Sequence, residues 1–181
     1  MTGTLFLVVG PSGAGKDSVI DGAKARLSGD LRFLFARRVV TRPADAGGET
    51  HEAATPRAFA AREAAGGFCL TWRAHGLAYG LPADISESLA TGTSVIANVS
   101  RSVIEAARRR FPKLRVVVVT APPAVLAARL AARGREDAAD IARRLAREAP
   151  FPPGGDVTVI PNDGPLADAV ERFVALLRRL A

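Results

Sequence analysis

The sequence predicts an α/β fold with a mostly parallel, five-stranded core sheet and helices on both faces. Short apolar runs alternate with segments of helical periodicity, the pattern left by a parallel sheet whose strands are joined by crossover helices. The runs Leu5–Val9, Ser94–Asn98 and Leu114–Thr120 are nearly continuous in apolar residues rather than alternating, as strands covered on both faces must be. Each is followed by a helix-start signal. A chain of 181 residues suits one compact domain with a sizeable core.

Taken in order, Leu5–Val9 is the first central strand. Residues 18–27 follow as a helix, with Val19, Ile20, Ala23 and Leu27 at helical spacing. Residues 33–41 and 68–73 read as strands, separated by a turn-rich stretch over residues 43–48 and a short helix opening at Thr55-Pro56. Ser100 is placed to cap a helix over residues 101–110. Pro122 or Pro123 opens another that ends near Arg133, with Gly134 as its stop. Residues 157–160 form the last strand. Pro165 opens the final helix, where Leu166, Val170, Phe173, Val174 and Leu177 share one apolar face. The expected organisation is a single domain, with its core at 1–35, 84–133 and 154–181 and an inserted region at 36–83. The Arg-rich stretch 134–153, which closes on Pro150, Pro152 and Pro153, reads as a mobile lid.

Composition narrows the function classes. No apolar run reaches the roughly 18 residues that cross a membrane. The start lacks a basic n-region and Leu5–Val9 is too short for a signal peptide, so a cytoplasmic protein is expected. Cys69 is the only cysteine, which excludes an intrachain disulfide and a cysteine-built metal cage. The net charge of +7 invites a polyanionic partner. Residues 101–147 carry twelve Arg or Lys against four Asp or Glu, but in helical segments rather than a flexible tail. Aromatics make up only 6% of the chain, so platforms for stacking bases are sparse. Small polyanions therefore fit better than nucleic acid, and no membrane partner is expected.

One motif carries the chemistry. Gly10-Pro11-Ser12-Gly13-Ala14-Gly15-Lys16-Asp17 matches the Walker A pattern and lies between a buried strand and a helix. Glycines let the backbone curl until several N–H groups face one anion. The helix N-terminus adds positive potential, and Lys16 adds a full charge for the β- and γ-phosphates of ATP. The bland reading, a Gly-rich turn that merely joins two elements, does not account for Lys16. Asp17 stands where Ser or Thr usually ligates Mg²⁺. A carboxylate is also a hard oxygen ligand, so Asp17 is a candidate metal ligand, unless it simply favours a first helical turn. No apolar run followed by Asp is evident; the strand Ser94–Asn98 ends in Asn98.

On these residues the chain resembles the guanylate-kinase-like branch of P-loop kinases along nearly its whole length. The matching pieces, besides the loop, are Thr41-Arg42-Pro43, Gly48-Glu49, Phe68, Tyr79-Gly80, Arg129-Leu130-x-x-Arg133-Gly134-Arg135 and Asn162-Asp163. Guanylate kinases read guanine with a carboxylate two residues after the phenylalanine, a hydroxyl after the Tyr-Gly pair and an aspartate on a strand. Here Leu70, Leu81 and Asn98 stand at those places. Leucine cannot accept a hydrogen bond, and each unpaired buried donor would cost roughly 1–3 kcal/mol. GMP is thereby disfavoured as acceptor. Arg42 matches a phosphate-binding arginine of the family, while Asp45 replaces a second.

A closer resemblance rests on Arg38-Val39-Val40-Thr41-Arg42-Pro43-Ala44-Asp45-Ala46-Gly47-Gly48-Glu49, on Trp72-Arg73-Ala74-His75-Gly76-Leu77-x-Tyr79-Gly80, on Arg133-Gly134-Arg135-Glu136 and on the Gly-Lys-Asp of the loop. These strings are similar to the ribose 1,5-bisphosphate phosphokinases of phosphonate utilisation. The resemblance implies transfer of the ATP γ-phosphate to ribose 1,5-bisphosphate, giving 5-phosphoribosyl 1-diphosphate. It implies that Gly10, Pro11, Ser12, Gly13, Ala14, Gly15, Lys16 and Asp17 hold ATP and Mg²⁺, with Asn162 near the adenine. Lys16, Arg129 and Arg135 would stabilise the transferred group, with Arg133 on the same helix face as Arg129. The acceptor would meet Arg38, Arg42 and Tyr79, which makes 36–83 its binding region, with Asp45, Glu49 and His51 as candidates for ribose hydroxyls or metal. Strand alternation puts Arg38 and Arg42 on one face. His75 reads as a turn residue, and Arg108, Arg109 and Arg110 as a solvated helix end. A monomer or homodimer is expected. The alternatives are a guanylate or other nucleoside monophosphate kinase, a non-catalytic binding module of the same fold, and a basic nucleic-acid binder.

Overall fold

The structure is a computed structural model that describes residues 2–43, 50–132 and 154–181. In chain order the elements are β1 (Leu5–Val9), α1 (Lys16–Arg26), β2 (Phe33–Phe35), β3 (Val39–Val40), β4 (Glu52–Ala53), α2 (Pro56–Ala64), β5 (Phe68–Ala74), β6 (Leu77–Pro82), α3 (Ile85–Ala90), β7 (Ser94–Asn98), a 3-10 turn (Arg101–Val103), α4 (Ile104–Arg110), β8 (Leu114–Thr120), α5 (Pro123–Ala132), β9 (Val157–Pro161) and α6 (Leu166–Leu180). A five-stranded sheet has the order β2-β7-β1-β8-β9, with β2 parallel to β7 and β9 parallel to β8. A four-stranded sheet has the order β4-β3-β6-β5. Among the described residues no helix is long and apolar enough to cross a membrane.

The apolar runs behave as their composition requires. Every residue of β1 is buried, and β8 buries all but its arginine and its final threonine. Ser100 caps the 3-10 turn by accepting a bond from the Ser102 amide, and Thr55 caps α2 by accepting one from Ala58. One expectation is corrected. Residues 33–41 do not form a single strand. β2 pairs with β7 in the larger sheet, and the Ala36 amide extends that ladder by donating to the Ile96 carbonyl at 2.8 Å. Val39 and Val40 then pair antiparallel with Gly80 and Tyr79 in the other sheet. Phe33, Val39 and Val40 are all buried, so hydropathy runs through the change of sheet without marking it.

The chain divides into two compact units. One comprises Met1–Leu7, Gly29–Arg115 and Leu180–Ala181. It contains the four-stranded sheet, whose inner cluster is Val39, Phe59 and Phe68, with the two phenylalanine rings stacked at 4.7 Å. The β5–β6 hairpin turns on His75 and Gly76, both at positive φ (51° and 73°), the backbone of a two-residue primed turn. The other unit comprises Val8–Ser28 and Val116–Arg179. There α6 buries Ala169, Val170, Phe173, Val174, Leu176 and Leu177, but Leu166, expected on the same face, sits in the first turn of the helix and is 43% exposed.

Cys69 on β5 reports on this packing. It is 4% exposed, and burial pushes its thiol up to about 11, although Arg110 opposes the shift. Because the folded value is raised, the associated stability is fully present below the unfolded value near 9 and is lost as pH rises through about 11. Iodoacetamide at pH 8 is therefore expected to leave Cys69 intact in the native protein and to label it stoichiometrically in guanidinium, read by intact mass. Rapid native labelling would contradict the burial of β5.

Candidate active site

The turn from β1 to α1 has the geometry of an anion cradle. Gly10 lies so close to β8 that a Cβ there would run into the Val119 carbonyl. Gly15 is left-handed (φ 82°) and is the N-cap of α1, and no side chain caps that helix. A helix of 11 residues with an uncapped start presents its first-turn amides and dipole to an anion. Lys16 folds back over the loop, its Nζ donating to the carbonyls of Gly10 at 2.8 Å and Pro11 at 3.0 Å. The ammonium is thus held at the mouth of the turn. Asp17 is exposed in the first turn of α1, and Ser18 follows it.

Beside the turn is a cavity of about 320 Å³ lined by Gly13, Gly15, Ser18, Arg129, Asn162 and Leu166, among others. Asn162 follows β9 and is 4% exposed. Its main-chain amide donates to Thr120 at 2.7 Å and its Nδ2 donates to the Ala14 carbonyl at 2.8 Å. Among the described residues that leaves Oδ1 buried with no partner. Arg129 projects from α5 with a buried Nη1 that likewise has no partner among the described residues. Two residues that line the cavity thus each keep a buried polar atom unpaired among the described residues, which is costly unless something completes them.

The other unit holds a second cationic cluster. Trp72 on β5 and Tyr79 on β6 are cross-strand partners whose rings stack at 5.3 Å, 6° from parallel. The Arg38 guanidinium lies 5.4 Å from the Tyr79 ring centroid and 5.8 Å from that of Trp72. Arg42 is half-buried beside His51, which is 3% exposed. The Arg42 Nε is buried and has no partner among the described residues. Arg38 and Arg42 do not alternate along one strand, because β3 ends at Val40; each is held by its own neighbours. Leu70 and Leu81 face each other across β5 and β6 and are 6% and 0% exposed. The two positions that the resemblance to guanylate kinases marks for base reading thus hold a buried apolar pair.

The structure therefore brings Gly10, Gly13, Gly15, Lys16, Arg129 and Asn162 together in one unit, and Arg38, Arg42, His51 and Tyr79 together in the other. Asp45, Glu49, Arg133 and Arg135, with the expected lid, lie outside the described residues. Sequence reading did not assign Ser18, Arg37 or Trp72. Ser18 was available from its place two residues after Lys16, and Trp72 from its alternation with Leu70. Nothing in the sequence links Arg37 to His51, whose carbonyl accepts a 2.8 Å bond from Arg37 Nη2. Magnesium suits the donor set at the loop: such a site commonly combines one carboxylate with phosphate oxygens and water, and Asp17 is the carboxylate at hand.

No protein-family model matches the chain. Among curated proteins it is 51% identical over 177 residues to the ribose 1,5-bisphosphate phosphokinase PhnN of Chromobacterium violaceum, covering 98% of this chain and 95% of that one. It is 53% identical to the bifunctional ribose 1,5-bisphosphokinase-thymidine phosphorylase of Azorhizobium caulinodans, covering 97% of this chain but only 26% of that protein. The chain thus spans about a quarter of that relative's length, and 43% of the PhnN protein of Laribacter hongkongensis. Among solved structures, the guanylate kinase of Anaplasma phagocytophilum superposes with a TM-score of 0.70 at 17% identity, covering 98% of this chain and 86% of the other. At that identity the likeness shows the fold, a guanylate-kinase-like P-loop α/β architecture.

The loop geometry makes its own test. A Cβ on Gly15 would sit 2.5 Å from Asn162 Nδ2 and would be strained at φ 82°. Gly15→Ala is expected to cost about 2 kcal/mol, a melting temperature roughly 4–8 °C lower. An unchanged melt would mean that the turn is not built as described.

Proposed function

The chain belongs to the ribose 1,5-bisphosphate phosphokinase family, and from that premise we propose that it transfers the γ-phosphoryl group of ATP to ribose 1,5-bisphosphate, giving 5-phosphoribosyl 1-diphosphate and ADP. The observation that carries this reading is the coexistence of a lysine-bearing phosphate cradle with an acceptor region that keeps its arginines and closes its base-reading positions with Leu70 and Leu81. On this reading residues 36–83 bind the acceptor and 134–153 act as a lid. The enzyme works in the cytoplasm, as monomer or homodimer, in phosphonate catabolism.

The chemistry is mostly positioning and charge neutralisation. The amides of the loop hold the β- and γ-phosphates, and the Lys16 ammonium exchanges its two carbonyl partners for phosphate oxygens. Asn162 Oδ1 accepts a bond from the adenine amino group, and Arg129 turns its unpartnered nitrogen to the triphosphate. Arg38, braced on Trp72 and Tyr79, and Arg42 hold the acceptor phosphates. An oxygen of the acceptor's 1-phosphate attacks the γ-phosphorus. A new P–O bond forms, the bond to the β,γ-bridging oxygen breaks, and ADP leaves with the electron pair. The nucleophile is already an anion, so no strong general base is needed. Bound through Asp17, Mg²⁺ would neutralise charge on the β- and γ-phosphates.

Phosphorus NMR of ATP and ribose 1,5-bisphosphate with the protein is expected to develop the paired signals of a sugar diphosphate. A clear preference for GMP over the sugar as acceptor would overturn the reading. Lys16→Met is expected to retain the fold by circular dichroism and to lose turnover by about a thousandfold. Near-native turnover in the folded variant would remove the cradle from the mechanism.

A further inference from the structure

His51 is placed unlike a group that meets substrate. It lies immediately before β4, which pairs in parallel with β3 so that Val39 stands beside Glu52 and Val40 beside Ala53. That register sets the backbone of His51 beside Arg38, while its ring reaches Arg42, nine residues earlier in the chain. His51 is 3% exposed. Its Nε2 is 3.1 Å from the Arg42 carbonyl, which can only accept, so Nε2 carries the proton and donates. Its Nδ1 is then an acceptor, and Arg42 Nη2 donates to it across 3.4 Å. One imidazole thus holds the same arginine twice, by its main chain and by its guanidinium. The clamp is itself braced, because Arg37 Nη2 donates to the His51 carbonyl at 2.8 Å, and the Glu52 amide donates to the Arg38 carbonyl at 2.8 Å.

A guanidinium on a long side chain loses rotamer freedom when it grips an anion, and a neutral acceptor behind it removes part of that loss in advance. The neutral partner matters. A carboxylate in the place of Nδ1 would hold the arginine but would also compensate its charge. The imidazole does not itself compensate the charge, and it leaves Nε, buried and without a partner among the described residues, as a further donor. We infer that His51 is a positioning residue: it fixes the Arg42 guanidinium for one phosphate of the acceptor without touching that phosphate. The inference rests on the proposed role of Arg42 in acceptor binding. It also deepens that role, since it ties the acceptor site to a residue between β3 and β4 that the ligand does not reach.

The test uses His51→Phe, which keeps a ring of similar size but neither polar atom, and His51→Gln, whose amide offers an acceptor and a donor about as far apart as the ring nitrogens. In the folded His51→Phe protein the KM for ribose 1,5-bisphosphate is expected to rise roughly tenfold, the loss of one hydrogen bond to a charged group, with the KM for ATP unchanged. His51→Gln is expected to recover most of that loss. In an Arg42→Ala background His51→Phe should add little, because the two act as one unit. Equal losses in both backgrounds, or an effect confined to ATP, would overturn the inference. A second readout does not depend on the substrate. The Arg42 Nε–Hε resonance in nitrogen NMR is expected to be sharp in the wild type and His51→Gln, and broadened in His51→Phe. If His51→Phe fails to fold, a broadened Arg42 resonance in the folded His51→Gln would itself overturn the clamp, and a sharp one would support it. Should the wild type fail to use ribose 1,5-bisphosphate, the functional reading falls while the Arg42 resonance still decides whether His51 holds the guanidinium.

Discussion

To aim several backbone amides at one anion, a chain must adopt left-handed backbone angles and pass close to its neighbours. In this protein the demand falls on a few residues between β1 and α1, and the surrounding structure answers it. Gly10 lies against the Val119 carbonyl at the end of β8. Gly15 lies against Asn162, which is tied by its own amide to Thr120 and by its side chain to Ala14. The turn is therefore fixed by the ends of two neighbouring strands as well as by the strand that feeds it. A parallel sheet provides this naturally, because the carboxyl ends of β1, β8 and β9 emerge together. Asn162 spends its amide nitrogen on the scaffold, and its oxygen is buried without a partner among the described residues.

Selectivity among phosphate acceptors follows from a different constraint. A base can be chosen only by polar atoms that match its edge, and such atoms are costly when they go unmatched. Leu70 and Leu81 meet across the β5–β6 ladder and leave no acceptor there. The same hairpin places Trp72 against Tyr79, with Arg38 lying over both rings. Alternation along β5 thus turns Leu70 and Trp72 toward the same side, one opposite Leu81 and one under the Arg38 guanidinium. A sugar carrying two phosphates asks for charge and hydroxyl partners and needs no base-reading edge.

Much of this was legible in the sequence because it depends on local rules. The bounds of β1, β7 and β8 follow from nearly unbroken apolar runs, and the caps at Thr55 and Ser100 follow from residue type and place. The phosphate turn was readable for the same reason: strand, glycines, lysine and helix are contiguous. What escaped was long-range. Residues 33–41 change sheets with no change in hydropathy, since burial is felt along the chain while hydrogen bonding is decided by strands far away in it, β7 for Phe33–Phe35 and β6 for Val39 and Val40. His51 read as a polar residue free to reach a ligand. Its burial depends on the pairing of β3 with β4, two strands of two residues each, too short to leave a period.

The arginines of the chain separate by the partners they keep. Arg32 pairs with Asp30, Arg62 with Glu52, Arg73 with Glu63 and Arg108 with Glu105. The Arg73 contact holds the Glu63 carboxyl below its usual range, the sign of a charge already answered. These pairs lie at the surface, where they add little stability and offer little to a ligand. Arg42 and Arg129 differ. Among the described residues Arg42 is held by a neutral imidazole, and Arg129 keeps a buried nitrogen with no partner. A positively charged group that is positioned but not neutralised is worth maintaining only if an anion arrives to complete it, because its burial otherwise goes uncompensated. The net charge of +7 says that the protein prefers anions. It is the pairing pattern, not the excess itself, that separates the arginines already satisfied by carboxylates from Arg42 and Arg129.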